Sequence, residues 1–367
     1  LNYIVRAPEK IQAPDITLEK FARKSIGILV LNGKLTVTNG NISIKGGIGN
    51  TALVAKKESA ALPGGEIDYT GDINIGKSDI DNNVEAKEAM VAYAEGKDIK
   101  ITGKVTVDSA DSVSIYSKNG KVTVEGDVSI KSKGKNVVAM YTDNGTINVN
   151  RTALSGKTDI DITGGIDKGK ATGVALYAKD GGKINAQKLS LKVTNGSAGI
   201  VSVGKNTDPS NPESNIDFTG GKLEYNGDGY AVYSDGTGKI DLSDAELNLH
   251  GRSTAFDVDL GASTLPTKLN SGTKIKVHSD DVIAFNLKRA TGLTTVGGIE
   301  TSIKSKIETK LGLGSGSLNN LFTGSTSNKY KVAAVDGGEI TVGNLDKSGT
   351  AADTAGAKKD GYEYFNR

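Results

Sequence analysis

The chain of 367 residues sets 45 Lys and Arg against 43 Asp and Glu, a formal net charge of +2, with 48 glycines, 6 prolines and no cysteine or tryptophan. The balanced, interspersed charge excludes the basic stripe of a nucleic-acid binder, and the lack of cysteine excludes a disulfide framework. No apolar run approaches the roughly 18–20 residues of a membrane helix and no secretory leader stands at Leu1, so the expected molecule is a soluble mature or excised segment.

Residues 1–30 are atypical, with Pro8, Pro14 and Thr17-Leu-Glu-Lys-Phe21. They read as a cap or leading segment, since terminal units of repeat proteins deviate. From 31 to 298 three short strand types alternate. The first is a phrase around a tyrosine: Met90-Val-Ala-Tyr93, Val113-Ser-Ile-Tyr116, Val138-Ala-Met-Tyr141, Val174-Ala-Leu-Tyr177 and Tyr230-Ala-Val-Tyr233. These tyrosines step by 23, 25, 36 and 56 residues. The widest gap hides an unmarked unit, Ala198-Gly-Ile-Val201-Ser.

A second strand follows a Gly turn, as in Asp98-Ile-Lys-Ile101 and Lys121-Val-Thr-Val124, and a third comes a few residues later, as in Gly103-Lys-Val-Thr-Val107 and Lys222-Leu-Glu-Tyr225. Each brackets a polar residue with aliphatics, the period-2 pattern of a strand with one buried face. Three strands per repeat of about 25 residues describe one coil of a solenoid. The predicted fold class is therefore all-β, a parallel β-helix of a dozen or so coils, on the order of 60 Å long at ~4.8 Å per coil. Spacing alone leaves an antiparallel sandwich or propeller open; the fixed strand order favours the β-helix. Ile99, Val122, Ile147, Ile184 and Ile240 are expected to form one interior stack. Val105, Val128, Ile160, Leu189, Leu223 and Leu247 are expected to form another.

Two stretches interrupt the rhythm. Residues 205–214 form a Pro/Asn/Ser loop containing Asp208 and Asn211. In 299–328, Ile299, Ile303, Ile307 and Leu311 recur every four residues, a helical stripe, before the Gly/Ser-rich run from Gly312. Asn319 and Asn320 lie in the loop that follows. Residues 329–367 return to coils, expected to continue beyond the segment.

Catalytic motifs are absent. His250 and His278 read as polar strand ends, and no serine sits in a nucleophile-elbow pattern. Asp159-Ile-Asp161 and Asp79-Ile-Asp81 place acids about 6.6 Å apart on one strand face, a separation compatible with glycoside hydrolysis. Such polar positions occur on almost every coil, so solvated coil surface is the plainer account. The chain lacks the Gly-Gly-x-Gly-x-Asp nonapeptides of a calcium β-roll, and Asp143-Asn-Gly145 and Asp180-Gly-Gly182 are turn chemistry. No metal or cofactor is expected.

Tyr93, Tyr116, Tyr141, Tyr177 and Tyr233 are the sharpest candidates. In Val174-Ala-Leu-Tyr177 the large aliphatics Val174 and Leu176 share one face, and Ala175 and Tyr177 the other. With the aliphatics inside, the tyrosines form an external ladder, either a strip for sugar rings or protein side chains or a device that holds coil register. A buried tyrosine column is the remaining alternative.

Repeats such as Ala175-Leu-Tyr-Ala-Lys-Asp-Gly-Gly-Lys-Ile184 and Tyr230-Ala-Val-Tyr-Ser-Asp-Gly-Thr-Gly-Lys-Ile240 resemble passenger regions of large type V autotransporter adhesins, especially RadD-like fusobacterial outer-membrane autotransporters. The likeness covers about residues 30–345 and is one of repeat style. It implies a right-handed β-helix displayed on a bacterial cell and anchored in the outer membrane through a C-terminal barrel absent from this sequence. It also implies export through a pore, a route that fits a chain without cysteine. The expected function is adhesion to a host or bacterial cell-surface protein or glycan by a monomeric rod. The expected sites are the 205–214 and 312–328 loops (Asp208, Asn211, Asn319, Asn320) and the tyrosine ladder. A secreted polysaccharide-active enzyme and a passive stalk are the alternatives.

Overall fold

The computed structural model describes residues 3–76, 84–205, 213–260, 267–279, 281–288, 305–318, 321–324, 330–335 and 362–366. The chain is nearly all β, and its parallel sheets wind into a β-solenoid. Three strands make a coil. In one coil they are Met90–Glu95, Asp98–Thr102 and Val105–Ala110; in the next, Val113–Lys118, Lys121–Val124 and Val128–Gly134. Strands of the first type stack into a 13-stranded sheet, the tyrosine wall. The second and third types share a 20-stranded sheet that supplies the other two walls. Pairing runs between coils and is parallel, so ladder hydrogen bonds join residues some 25 positions apart. A small antiparallel hairpin, Ile166–Asp167 with Lys170–Ala171, interrupts the pattern and leaves Ile166 exposed.

Alternation drives each strand. In Asp98–Thr102, Ile99 and Ile101 are fully buried while Lys100 is exposed. The first interior stack forms as expected, Ile99 on Val122 on Ile147 on Ile184, then Ile216 and Ile240. The second differs. Val105 lies on Val128, but Ile160 lies on Ile130 and continues through Leu191, Leu223 and Leu247. Val128 and Leu189 therefore lie outside the column that Ile160 joins. A two-residue slip keeps every inward side chain inward, so alternation cannot detect it.

The tyrosine wall also departs from simple alternation. Ala175, Leu176 and Ala178 are buried while Val174 and Tyr177 are half-buried. The same pattern holds in Val113–Lys118 and Val138–Asp143. Pairing skips the small residue, matching Val138 to Val174 and Met140 to Leu176 without Ala139 to Ala175. The strand turns at that position and puts two successive residues inside. Val113, Val138 and Val174, expected inside, stand on the outer face, and Ser114, Ala139 and Ala175 take the interior. Small side chains suit this crowded bend: a methyl on Gly199, in the same column, would lie 2.6 Å from the Ala231 carbonyl oxygen.

Glycine makes the corner between the other two walls. A Cβ on Gly103, at φ +155°, would lie 1.9 Å from the Gly71 carbonyl oxygen, and one on Gly71 would lie 2.0 Å from that of Gly40. Backbones approach here more closely than any other residue permits. Arg151 donates from Nη1 to the Gly126 carbonyl at 2.7 Å, at the upper end of this column.

Residues 3–18 do not differ in kind from the rest. Tyr3–Val5, Glu9–Gln12 and Asp15–Leu18 pair in parallel with the following coil. In the second interruption residues 305–310 are helical, with Ile307 and Leu311 buried in the core cluster. Leu269 donates its amide to the Leu311 carbonyl at 2.8 Å. The end of the helix therefore sits above the second-wall strand Thr267–Lys268 and occupies the place of a strand there. Phe322–Gly324, inside the predicted 299–328 insertion, is already a third-wall strand paired with Ile275–Val277. Beyond it, Tyr330–Val335 and Tyr362–Asn366 extend the tyrosine wall in parallel.

Candidate functional site

The two polar walls carry charge on their outer faces in vertical pairs. Lys34 stands on Glu66 at 2.8 Å, Asp98 on Lys121 at 3.0 Å, and Lys276 reaches Glu246 at 3.0 Å. The tyrosine wall carries charge toward its strand ends, as where Lys118 meets Glu95 at 4.0 Å, but its middle is apolar. One outward column runs Ile4, Leu29, Val54, Tyr93, Tyr116, Tyr141, Tyr177, Val201 and Tyr233. Beside it stands a second, Ile26, Thr51, Met90, then Val113, Val138 and Val174. Together they form an apolar stripe along one side of the rod.

Four of the five predicted tyrosines form a continuous ladder. Ring centroids lie 5.1 Å apart from Tyr93 to Tyr116, 4.9 Å from Tyr116 to Tyr141 and 5.1 Å from Tyr141 to Tyr177. Tyr141 and Tyr177 stack at an interplanar angle of 11°, while the other two pairs are tilted at 41° and 39°, so the ladder covers its own ring faces only in part. Each such pair contributes about 0.5–1.5 kcal/mol beyond burial. Burial pushes the hydroxyls of Tyr116 and Tyr141 up to about 12. Tyr233 is separated from the ladder by Val201, the unmarked unit expected from the sequence, and instead meets Tyr230 at 5.2 Å.

Above Tyr233 the stripe ends in charge. Asp257 accepts from Asn286 Nδ2 at 2.7 Å and pairs with Lys288, whose ammonium lies 5.6 Å from the Tyr233 ring centroid. Burial, the largest single influence, pulls the Lys288 pKa down, but the hydrogen bond and the charge attraction to Asp257 together with the neighbouring tyrosines outweigh it, and the net direction is up.

At the other end the column changes height. Val54 and Leu29 stand where higher coils carry tyrosine, and the step leaves a groove of about 680 Å³. Its floor is Ile26, Leu29, Thr51, Val54 and Met90, its upper wall is Tyr93 and Tyr116, and Lys56, Lys57 and Glu58 form the rim. Lys56 pairs with Glu95 at 3.7 Å and Glu58 with Arg6 at 3.1 Å. The sequence reading missed this groove. Its signal was present in Ile26-Gly-Ile-Leu-Val30 and Thr51-Ala-Leu-Val-Ala55, the tyrosine phrase with Leu29 and Val54 at the tyrosine position. A smaller hollow of about 300 Å³ lies beside the exposed Phe21.

Asp208, Asn211, Asn319 and Asn320 lie outside the described residues, as do Asp79 and Asp81. An antiparallel bridge between Lys205 and Glu213 closes the base of the first loop. Asp159 and Asp161 are not a matched pair of acids: Asp159 is buried and accepts from the Ser190 amide at 2.8 Å and the Ser155 hydroxyl at 3.2 Å, a structural role. His250 and His278 stack with centroids 4.4 Å apart, and His278 Nε2 lies 3.1 Å from Asn248 Oδ1. Among the described residues no group of three His, Cys, Asp or Glu side chains is placed to hold a metal ion. No family model, curated protein or solved structure matches this chain.

Proposed function

We propose that this chain is a segment of a surface-displayed bacterial adhesin, whose coils form a spacer and whose tyrosine wall is its lateral binding face. The supporting observation is the contrast between walls: two are laced with vertical charge pairs, while the third presents an aromatic and aliphatic stripe bearing a groove. An exposed apolar strip of this kind marks a contact surface in soluble proteins. The partner is a protein or glycan on a host or bacterial cell. In this reading the rod is carried at the outer membrane by a barrel elsewhere in the full protein.

Fluorescently labelled chain applied to a panel of bacterial and host cells tests the reading. Binding is expected, and the double variant Tyr116→Ser, Tyr141→Ser is expected to lose most of it while keeping the native circular dichroism spectrum. Undiminished binding by the double variant would move the contact to the loops, and no binding to any cell would favour the passive stalk.

A further inference from the structure

The groove sits where the ladder stops. Tyr93 has Tyr116 on one side at 5.1 Å, and on the other its in-register neighbour is Val54, too short to cover a ring. Tyr93 is therefore the last ring of the stack on that side, and it lines the groove. We propose that the groove takes an aromatic side chain of a partner protein, which seats on Val54 and continues the ladder downward by one rung. The proposal rests on the tyrosine wall being the binding face and names what that face holds.

Three observations select this occupant. First, coil spacing of ~4.8 Å matches the ring separation already used above it, so an inserted ring meets Tyr93 at stacking distance. Second, the floor is aliphatic apart from Thr51 and includes Met90, and a thioether favours an aromatic neighbour. A pyranose would bring several hydroxyls against Ile26, Leu29 and Val54, where they find no partners and each costs desolvation. Third, the rim is charged unequally. Lys56 and Glu58 are each paired, whereas Lys57 has no carboxylate partner among the described residues. The aromatic residue is therefore flanked by an acidic one. The volume of about 680 Å³ admits a ring together with its neighbours along an extended segment.

Methyl-labelled chain titrated with N-acetyltryptophanamide tests this directly. Saturable ring-current shifts are expected on the methyls of Leu29, Val54 and Met90, with none from N-acetylcyclohexylalaninamide or N-acetylglucosamine. A tripeptide Asp-Trp-Asp, blocked at both ends, should bind several-fold more tightly than Lys-Trp-Lys, and Lys57→Gln should remove most of that preference. Val54→Tyr supplies the missing rung in cis and should weaken ring binding at least tenfold; the same outward position holds tyrosine in five coils. If that variant fails to fold, Tyr93→Ser, which removes the stacking wall, should produce the same loss. A silent titration, an equal response to the cyclohexyl compound, or undiminished binding in both variants overturns the proposal, as do sugar shifts without ring shifts. Were the ring titration silent while Tyr116→Ser, Tyr141→Ser still abolished cell attachment, the wall would stand as the binding face and only its occupant would be wrong.

Discussion

At Gly103 a single hydrogen decides whether two coils can meet. Alanine there places a methyl 1.9 Å from the Gly71 oxygen at a φ that L-residues avoid. Gly103→Ala should cost roughly 3 kcal/mol or more, read from urea denaturation; a change below about 0.5 kcal/mol would contradict the close approach. Tyr141 touches a ring on each side, so Tyr141→Ala should lose about 2–3 kcal/mol through two stacks and their burial. Tyr141→Phe keeps both stacks and should stay within about 0.5 kcal/mol of the parent. Equal losses in the two variants would assign the stabilisation to the hydroxyl instead.

His250 carries a pH dependence. Burial first, then the neighbouring His278 imidazole, holds His250 below its usual 6.5. The unfolded chain binds that proton more readily, so the stability present above about pH 6.5 declines as pH falls through it. Denaturation midpoints followed from neutral to mildly acidic pH should show a fall that His250→Gln reduces. An unchanged slope in that variant would clear His250 of any role. The sequence supplied both histidines but not their stacking, because which strands lie above one another depends on the length of each intervening loop.

At the scale of elements, strand type and order were legible because aliphatic alternation and Gly turns repeat in almost every coil. Lateral register was less so. The segment between Asn148 and Ile160 shifts the third-wall pairing by two residues, and alternation is blind to even slips. The tyrosine wall misled in a related way: the bend at Ala139 and Ala175 breaks the period that assigned Val138 and Val174 to the core. Of the two tyrosine placements the sequence left open, the outward one is found, with half-buried rings in register over one another. The groove escaped because it is defined by an absence, a valine and a leucine where a tyrosine would fit. In the helical insertion, Ile299 and Ile303 lie outside the described residues, the other two positions of the four-residue stripe, Ile307 and Leu311, are buried, and the buried Glu308 accepts the Leu318 amide at 3.1 Å. Glu308→Ala should therefore raise hydrogen exchange at Leu318 by an opening free energy about 1–3 kcal/mol lower; unchanged protection would place that amide's acceptor elsewhere.

For the whole molecule, everything depends on like residues standing vertically from coil to coil. That alignment turns scattered tyrosines into one wall, places Val54 beneath Tyr93 and separates an apolar face from two charged ones. The chain has no native cysteine, so introduced pairs report on it cleanly. Val113 and Val138 face outward and lie directly over one another in parallel register. Val174 lies one coil further on. Strand spacing of ~4.8 Å lies within disulfide reach, whereas two spacings exceed it. The decisive measurement is the oxidation of Val113→Cys with Val138→Cys and of Val113→Cys with Val174→Cys. The account predicts rapid intramolecular disulfide formation in the first pair and none in the second; failure of the first, or equal formation in both, would contradict it.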